Sequence, residues 1–451
     1  MFTTFINNKF LLYLTLFGVA LSLLLQFGVK PIVEGDAGSY IQCANAFYNG
    51  KPQECTPIRT PGYPLFILIT NTIFQNLNYQ LTVTIQYFLI LGTAYYIYLL
   101  ALLLFQNKTI GYVSYFLIIT NPVFIFYSNN ILTEITYIFF STGFCYFTIK
   151  YIFKQDNINI ILASVFIAIS ALIRPLAQYY YLFLLIILFF VHYKNWMILI
   201  KKCFLAVLLV YIIFSPWMIK NYLQFHRGSL TVVFGEALWT DVYRFNKLPL
   251  VDSNFYKKEK EEIRASSEDK QYLNAKTAIQ SFGYDMSTTD NILKEISMES
   301  IKAYPIQYAK GVLASFINMA FYPKYIYGDY IAASQKTHIR EYPPARYVYY
   351  AFDDLMHKLN YPSLFLTIFG IAGLYICFTS FDIKKKLSSI FFILIIFSSL
   401  AIASIIASYV RYRIIIDQFL ILFSVFAFFH LWNRYGVSRH CRNFFHFSKN
   451  I

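Results

Sequence analysis

Pro61-Gly-Tyr-Pro-Leu-Phe-Ile-Leu-Ile-Thr-Asn-Thr-Ile-Phe-Gln75 is the stretch on which the architecture turns. It is apolar, but it is shorter than the roughly 20 residues a crossing helix needs, and it opens with two prolines. Read as a helix lying in the membrane interface, it leaves ten longer apolar segments as spans, at about 10–27, 79–104, 111–128, 132–152, 157–174, 176–193, 203–221, 362–380, 387–408 and 412–432. Read as an eleventh span, it would invert every later segment up to the large loop and turn the Lys194–Lys202 cluster outward.

Charge decides between these readings. With ten spans and a cytoplasmic N-terminus, the cytoplasmic segments hold fourteen Lys and Arg against Asp156 and Asp382 alone, +12 of the net +15. The other side holds 24 basic and 21 acidic residues. Such an excess of Lys and Arg in short loops is what orients helices during insertion. Both termini are therefore expected in the cytoplasm.

Composition agrees. Of 451 residues, 58% are hydrophobic and 14% charged, against about a quarter charged in soluble domains. This excludes a soluble globule and a disordered chain, and the basic charge belongs to membrane topology and not to nucleic acid. The expected fold is all-α: a polytopic membrane protein with interfacial helices in its first outer loop and a mainly helical extracytoplasmic segment. The apolar run Phe10–Phe27 has no small-residue cleavage site after it and reads as a retained first helix. Three regions follow: a transmembrane module at 1–221 carrying a first outer loop at 28–76, an extracytoplasmic region at 222–361, and C-terminal helices with a basic tail at 362–451.

This topology gives every polar residue a position. Most carboxylates fall in the large loop or on the cytoplasmic face. Glu34, Asp36 and Glu134 lie at the outer boundary, and Asp417 lies inside the last span. Val33-Glu-Gly-Asp-Ala-Gly-Ser-Tyr40 sets two acids beside two glycines just outside a helix end. An amphipathic helix, a turn, Arg59 and a second helix follow, so the loop can fold back and hold its acids in place. Cys145, Cys203, Cys377 and Cys441 sit in apolar segments or basic tails. Cys43 and Cys55 share the first outer loop, where a disulfide between them is expected in an oxidising compartment.

The early acid, Tyr40, and Arg59-Thr-Pro-Gly-Tyr-Pro64 together resemble the first outer loop of GT-C glycosyltransferases, in the branch of protein mannosyltransferases and the bacterial enzyme that places aminoarabinose on lipid A. The resemblance continues in Asn121-Pro-Val-Phe-Ile-Phe-Tyr-Ser-Asn-Asn-Ile-Leu-Thr-Glu134, in Ala171-Leu-Ile-Arg-Pro175, and in Ser215-Pro-Trp-Met-Ile-Lys-Asn-Tyr222, where Lys220 stands for the family's arginine. Ser408-Tyr-Val-Arg-Tyr-Arg413 is similar to the basic turn before the last span. Residues 222–361 match no pattern of that family.

The resemblance implies an integral-membrane, inverting transfer of a sugar from a polyprenyl-phosphate donor to a lipid, glycan or protein acceptor, on the extracytoplasmic face of a membrane such as the bacterial inner membrane. No cofactor is implied, and no spaced His/Asp motif supports a metal. The residue types suit this chemistry. A carboxylate can take the acceptor's proton, the role expected of Asp36, with Glu134 as the second candidate acid. Fixed cations lower the energy of a leaving phosphate, and arginine can grip two of its oxygens. Arg59, Arg174, Arg411 and Arg413, with Lys220, are the expected contacts to donor phosphate, although an arginine at this level also snorkels to headgroups. Glu34 is either an ancillary ligand or a solvated acid. Tyr40 and Tyr63 are placed near the site by the motif. Asp417 is expected to pair with Arg411 or Arg413. Two other classes compete: a transporter or flippase of lipid-linked sugars, which calls for ionisable groups at the bilayer midplane, and a polysaccharide polymerase or ligase.

Overall fold

The computed structural model describes residues 8–28, 31–33, 35–72, 79–266, 274–321, 362–380, 382–406 and 410–435. Glu34, residues 73–75 of the opening stretch, most of the segment before Pro362 and the basic tail beyond Tyr435 lie outside them. Among the described residues helix is the regular structure throughout, and a single bridge joins Ile32 to Asn130.

In chain order the membrane module comprises α1 (Lys9–Gly28), α2 (Ala37–Tyr48), α3 (Gly62–Thr72), α4 (Gln80–Phe105), α5 (Lys108–Ile119), α6 (Pro122–Ser128), α7 (Glu134–Lys154), α8 (Asn157–Ile173), α9 (Tyr181–His192) and α10 (Trp196–Phe225). The region expected outside the membrane, the outer region, adds α11 (Phe234–Trp239), α12 (Lys257–Ser266), α13 (Ala275–Gln280), α14 (Met286–Ala303) and α15 (Pro305–Phe321). The chain ends with α16 (Pro362–Phe378), α17 (Ile383–Ile406) and α18 (Ile414–Tyr435).

Each expected span overlaps at least one of these helices, but among the described residues five helical segments, one of them α9 extended back to Pro175, are long and apolar enough to cross a membrane, or six when α5 and α6 count as one. That pair is bent by 49°. The third span is thus broken, and the cause is local. Asn121 precedes a proline, which disfavours helical backbone, and sits at ψ 113° while its side chain accepts from the Val123 amide at 2.9 Å. The opening stretch forms α3, eleven described residues, or about 16 Å at the helical rise. α3 is packed against protein on one side: Tyr63, Pro64, Ile67 and Thr70 are buried, and it packs on α2, α4 and α8.

One hydrophobic core runs through the membrane helices. A second, built from Leu238 to Ile296, belongs to the outer region alone. α15, although it follows that core, leaves it: Met319 and Ala320 join the membrane core, and Phe316 meets Phe397 of α17 at 5.6 Å between ring centroids. At one end of the bundle Lys384 donates to the Phe153 carbonyl at 3.2 Å, Lys202 meets Asn157, and Tyr151 meets His192. The opposite ends of the helices, with the outer region, enclose a cavity.

Candidate active site

Asp36 is aimed by its neighbours on both sides. Upstream, Ile32 donates to the Asn129 carbonyl at 2.9 Å and accepts from the Ile131 amide at 3.0 Å, lashing the start of the first outer loop to the segment that leads into α7. Gly35, at φ +58°, then turns the chain into α2 in a conformation that side chains oppose. Asp36 stands at the N-cap of α2 but makes no side-chain cap. Its Oδ1 instead accepts from Arg59 Nη2 at 2.7 Å.

Arg59 is held along the whole first turn. Nε donates to Ser39 Oγ at 2.7 Å, Nη1 to the Tyr40 hydroxyl at 3.2 Å, and the guanidinium carbon lies 4.5 Å from the Tyr40 ring centre. A disulfide between Cys43 and Cys55 ties the same two pieces of chain farther along α2. Burial pushes the Tyr40 hydroxyl above the usual phenol range, and Arg59 acts in the other direction. Tyr63 lies behind Tyr40, edge to face at 5.2 Å, and donates to Gln86 Oε1 at 2.9 Å. Gln86 in turn donates to the Ser128 and Asn130 carbonyls at 2.7 and 2.9 Å. Tyr63 therefore supports the loop from within the core and does not line the cavity.

The second pair comes from other helices. Arg174 sits between α8 and Pro175 with extended backbone, φ −136° and ψ 119°, as a residue before proline prefers. Its side chain is thereby released from the helix toward Glu134, with Nη1 3.4 Å from Oε1, both side chains buried. Glu134 opens α7, where a helix N-terminus favours negative charge. The Tyr412 ring lies 4.6 Å from the Arg174 guanidinium carbon.

The two pairs come together because α3 touches α8 through backbone. A Cβ on Gly62 would stand 2.6 Å from the Leu172 carbonyl oxygen, and Thr60 donates to the Ile173 carbonyl at 3.2 Å. Asp36, Tyr40, Arg59, Glu134, Arg174 and Tyr412 thus line one cavity of about 560 Å³.

Its remaining wall was not anticipated from the sequence. Its polar part includes Arg227, Ser229, Thr231, Glu236, Thr240 and Asp290, with Phe234, from the outer region, beside Leu176, Gln178 and Tyr179 from the membrane module and Ile402 and Ala403 from α17. The Ser215-Pro-Trp…Lys-Asn-Tyr222 motif sets this wall: Trp217 Nε1 donates to the Leu230 carbonyl at 3.1 Å and Asn221 Nδ2 to the Ser229 carbonyl at 2.8 Å. Asp290 is buried against α11, where it accepts from the Glu236 amide at 3.1 Å; burial raises its pKa above the ordinary carboxylate value. Within the family-like motifs, Tyr412 had a readable signal, its place beside Arg411 and Arg413. Arg227 had only its nearness to the end of a span.

The other expected contacts lie apart. Lys220 Nζ donates to the Cys55 carbonyl at 3.3 Å and stands 4.4 Å over the Trp217 ring, bracing the first outer loop outside the cavity lining. Arg413 is fully buried: Nε donates to Asp417 Oδ1 at 2.6 Å, Nη1 to the Met319 carbonyl at 3.1 Å and to that of Ala320, and Nη2 to Thr367 Oγ1 at 3.0 Å. Arg411 lies in the turn Val410–Arg413 before α18, its side chain outside the described set, as is Glu34. Among the described residues no three of His, Cys, Asp and Glu gather as a metal-holding group.

Residues 58–219 match the family of dolichyl-phosphate-mannose-protein mannosyltransferase. The match includes Arg59, Glu134 and Arg174, begins after Asp36 and ends just before Lys220. No curated protein matches the chain. Among solved structures, ArnT from Cupriavidus metallidurans bound to undecaprenyl phosphate matches at 12% identity over 91% of this chain and 77% of that one, with a TM-score of 0.40. The apo form of the same ArnT matches at 11% identity over 92% and 77%, with a TM-score of 0.38.

Proposed function

We propose that this chain is a membrane glycosyltransferase of the GT-C type that moves a sugar, with inversion, from a polyprenyl-phosphate donor to an acceptor bound at the outer ends of its helices. The class rests on the family match over residues 58–219, and the polyprenyl-phosphate donor follows what that family is named for. The observation that carries the reading is the cavity in which two carboxylates and two arginines from distant parts of the chain meet.

In this reading Asp36 takes the proton of the acceptor hydroxyl as its oxygen bonds to the anomeric carbon, and the bond to the lipid phosphate breaks on the opposite face. Arg59 orients the Asp36 carboxylate, which would otherwise turn with the loop. Arg174 faces the leaving phosphate, with Glu134 and the Tyr412 ring holding its guanidinium in place. The positive-inside asymmetry of the sequence supports an extracytoplasmic position for this cavity and cytoplasmic termini. A flippase is disfavoured by the position of the charged groups lining the cavity, which lie at helix ends; the deeper Arg413–Asp417 pair is engaged with backbone and Thr367.

Asp36→Asn tests the reading. Loss of a general base typically slows transfer by about 10²- to 10⁴-fold, so the variant should insert in the membrane, bind donor and yield almost no product by mass spectrometry of cell glycolipids and glycoproteins. Full activity in that variant would remove Asp36 from the chemistry.

A further inference from the structure

Three arginines line the cavity, and they differ in one respect. Arg59 and Arg174 each have a carboxylate within ion-pair distance, at 2.7 and 3.4 Å. Arg227 donates through Nε to Ser287 Oγ at 2.9 Å and through Nη2 to the Ser287 carbonyl at 3.3 Å, both neutral acceptors. Asp285 and Asp290 act on it at longer range, and no described carboxylate lies within 4 Å of it. Its charge is therefore the least compensated of the three, and it faces the cavity.

Its position is prepared. His226 ends α10 in left-handed backbone, φ +53°, and Trp217 and Asn221 pin the chain just beyond. The Ser287 contacts use one side of the guanidinium fork, and a fork held this way loses little freedom on gripping an anion. The same cavity is lined by groups that suit a sugar: the hydroxyls of Ser229, Thr231 and Thr240, of which Ser229 and Thr240 donate to the Thr231 and Glu236 carbonyls and keep an oxygen free to accept, and the exposed ring of Phe234. This wall comes from the chain after α10, whereas Arg174 stands at the end of α8 and Arg59 before α3.

Resting on the transferase reading, we propose that Arg227 receives an anionic group, phosphate or carboxylate, on a saccharide acceptor. Ser229, Thr231 and Thr240 take that sugar's hydroxyls, and Phe234 covers an apolar face of its ring. Arg227 positions the acceptor, and Asp36 takes its proton.

The test uses cells lacking the gene and complemented with wild type, Arg227→Gln or Arg227→Lys, with glycoconjugates identified by mass spectrometry. Binding of undecaprenyl phosphate is measured on the purified full-length proteins. The expected acceptor carries a phosphate or carboxylate. Losing a charged hydrogen bond should lower product about 10- to 100-fold in Arg227→Gln, with less loss in Arg227→Lys and undecaprenyl phosphate binding unchanged in both. A neutral acceptor, undiminished product in Arg227→Gln, or equal losses in both variants overturns the proposal. Weakened undecaprenyl phosphate binding assigns Arg227 to the donor and overturns it as well. If deleting the gene changes no glycoconjugate, the transferase reading itself fails; any of the other results leaves that reading standing.

Discussion

Arg174 and Glu134 form a buried pair whose two members cannot be treated alike by mutation. Removing one partner of such a pair typically costs about 3–5 kcal/mol, because the other charge stays buried. Arg174→Ala should therefore lower the melting temperature as well as abolish transfer. Glu134→Gln combined with Arg174→Gln should recover most of the melting temperature and none of the transfer. If the double variant is as unstable as Arg174→Ala, the pair is not what makes the single change costly. At this scale the sequence located basic residues at the helix ends, all of them expected to contact donor phosphate. What separates Lys220, Arg174 and Arg413 is the partner each one reaches. Lys220 reaches a carbonyl and an indole ring, Arg174 a carboxylate in a cavity, and Arg413 a closed set of acceptors.

Among the elements, α3 shows why Pro61-Gly-Tyr-Pro64 has its composition. Pro61 accepts the first helical bond from Leu65 at 2.9 Å, Tyr63 anchors the core, and Gly62 lets the α3 backbone touch that of α8. Gly62→Ala would force these backbones apart and so move Arg59 away from Arg174. Overpacking of this kind typically costs about 1–3 kcal/mol, and transfer should fall with it. Gly38→Ala is the control: nothing lies within 4 Å of its Cβ, and alanine favours α2 by roughly 1 kcal/mol. Melting temperatures that fall equally in both variants would refute the contact as the cause. The helix itself was legible from its apolar run and its length. The close approach to α8 was not, because a glycine's small size becomes informative only once its neighbour is known.

Across the whole molecule, Arg413 joins three helices far apart in sequence. Its donors satisfy carbonyls at the C-terminal end of α15, where a cation complements the helix dipole, and bind Thr367 of α16 and Asp417 of α18. It is thus a clamp between the outer region and the C-terminal helices. Arg413→Ala should destabilise the protein strongly, by about 3–5 kcal/mol, while Arg413→Met with Asp417→Leu should be far milder, as read by thermal unfolding in detergent. A double variant no better than the single one would mean that the bonds to α15 and α16 outweigh the pair. Of this arrangement the sequence disclosed the Arg413–Asp417 spacing, one helical turn. It gave no sign of α15 as a partner, since residues 222–361 read as one solvated region.

What the sequence determined by itself was the membrane as solvent and most of the helices, together with an expected level for each charged group, because insertion into a bilayer depends on the length of apolar runs and on where Lys and Arg fall. These are properties of segments, and they can be read one at a time. Only the tertiary structure decided which charges meet. Ion pairing, backbone contact and enclosure of a cavity depend on distances of a few ångströms between residues tens or hundreds of positions apart. Arg227, set against Ser287 and lining the same cavity as Asp36, is the residue for which that difference matters most.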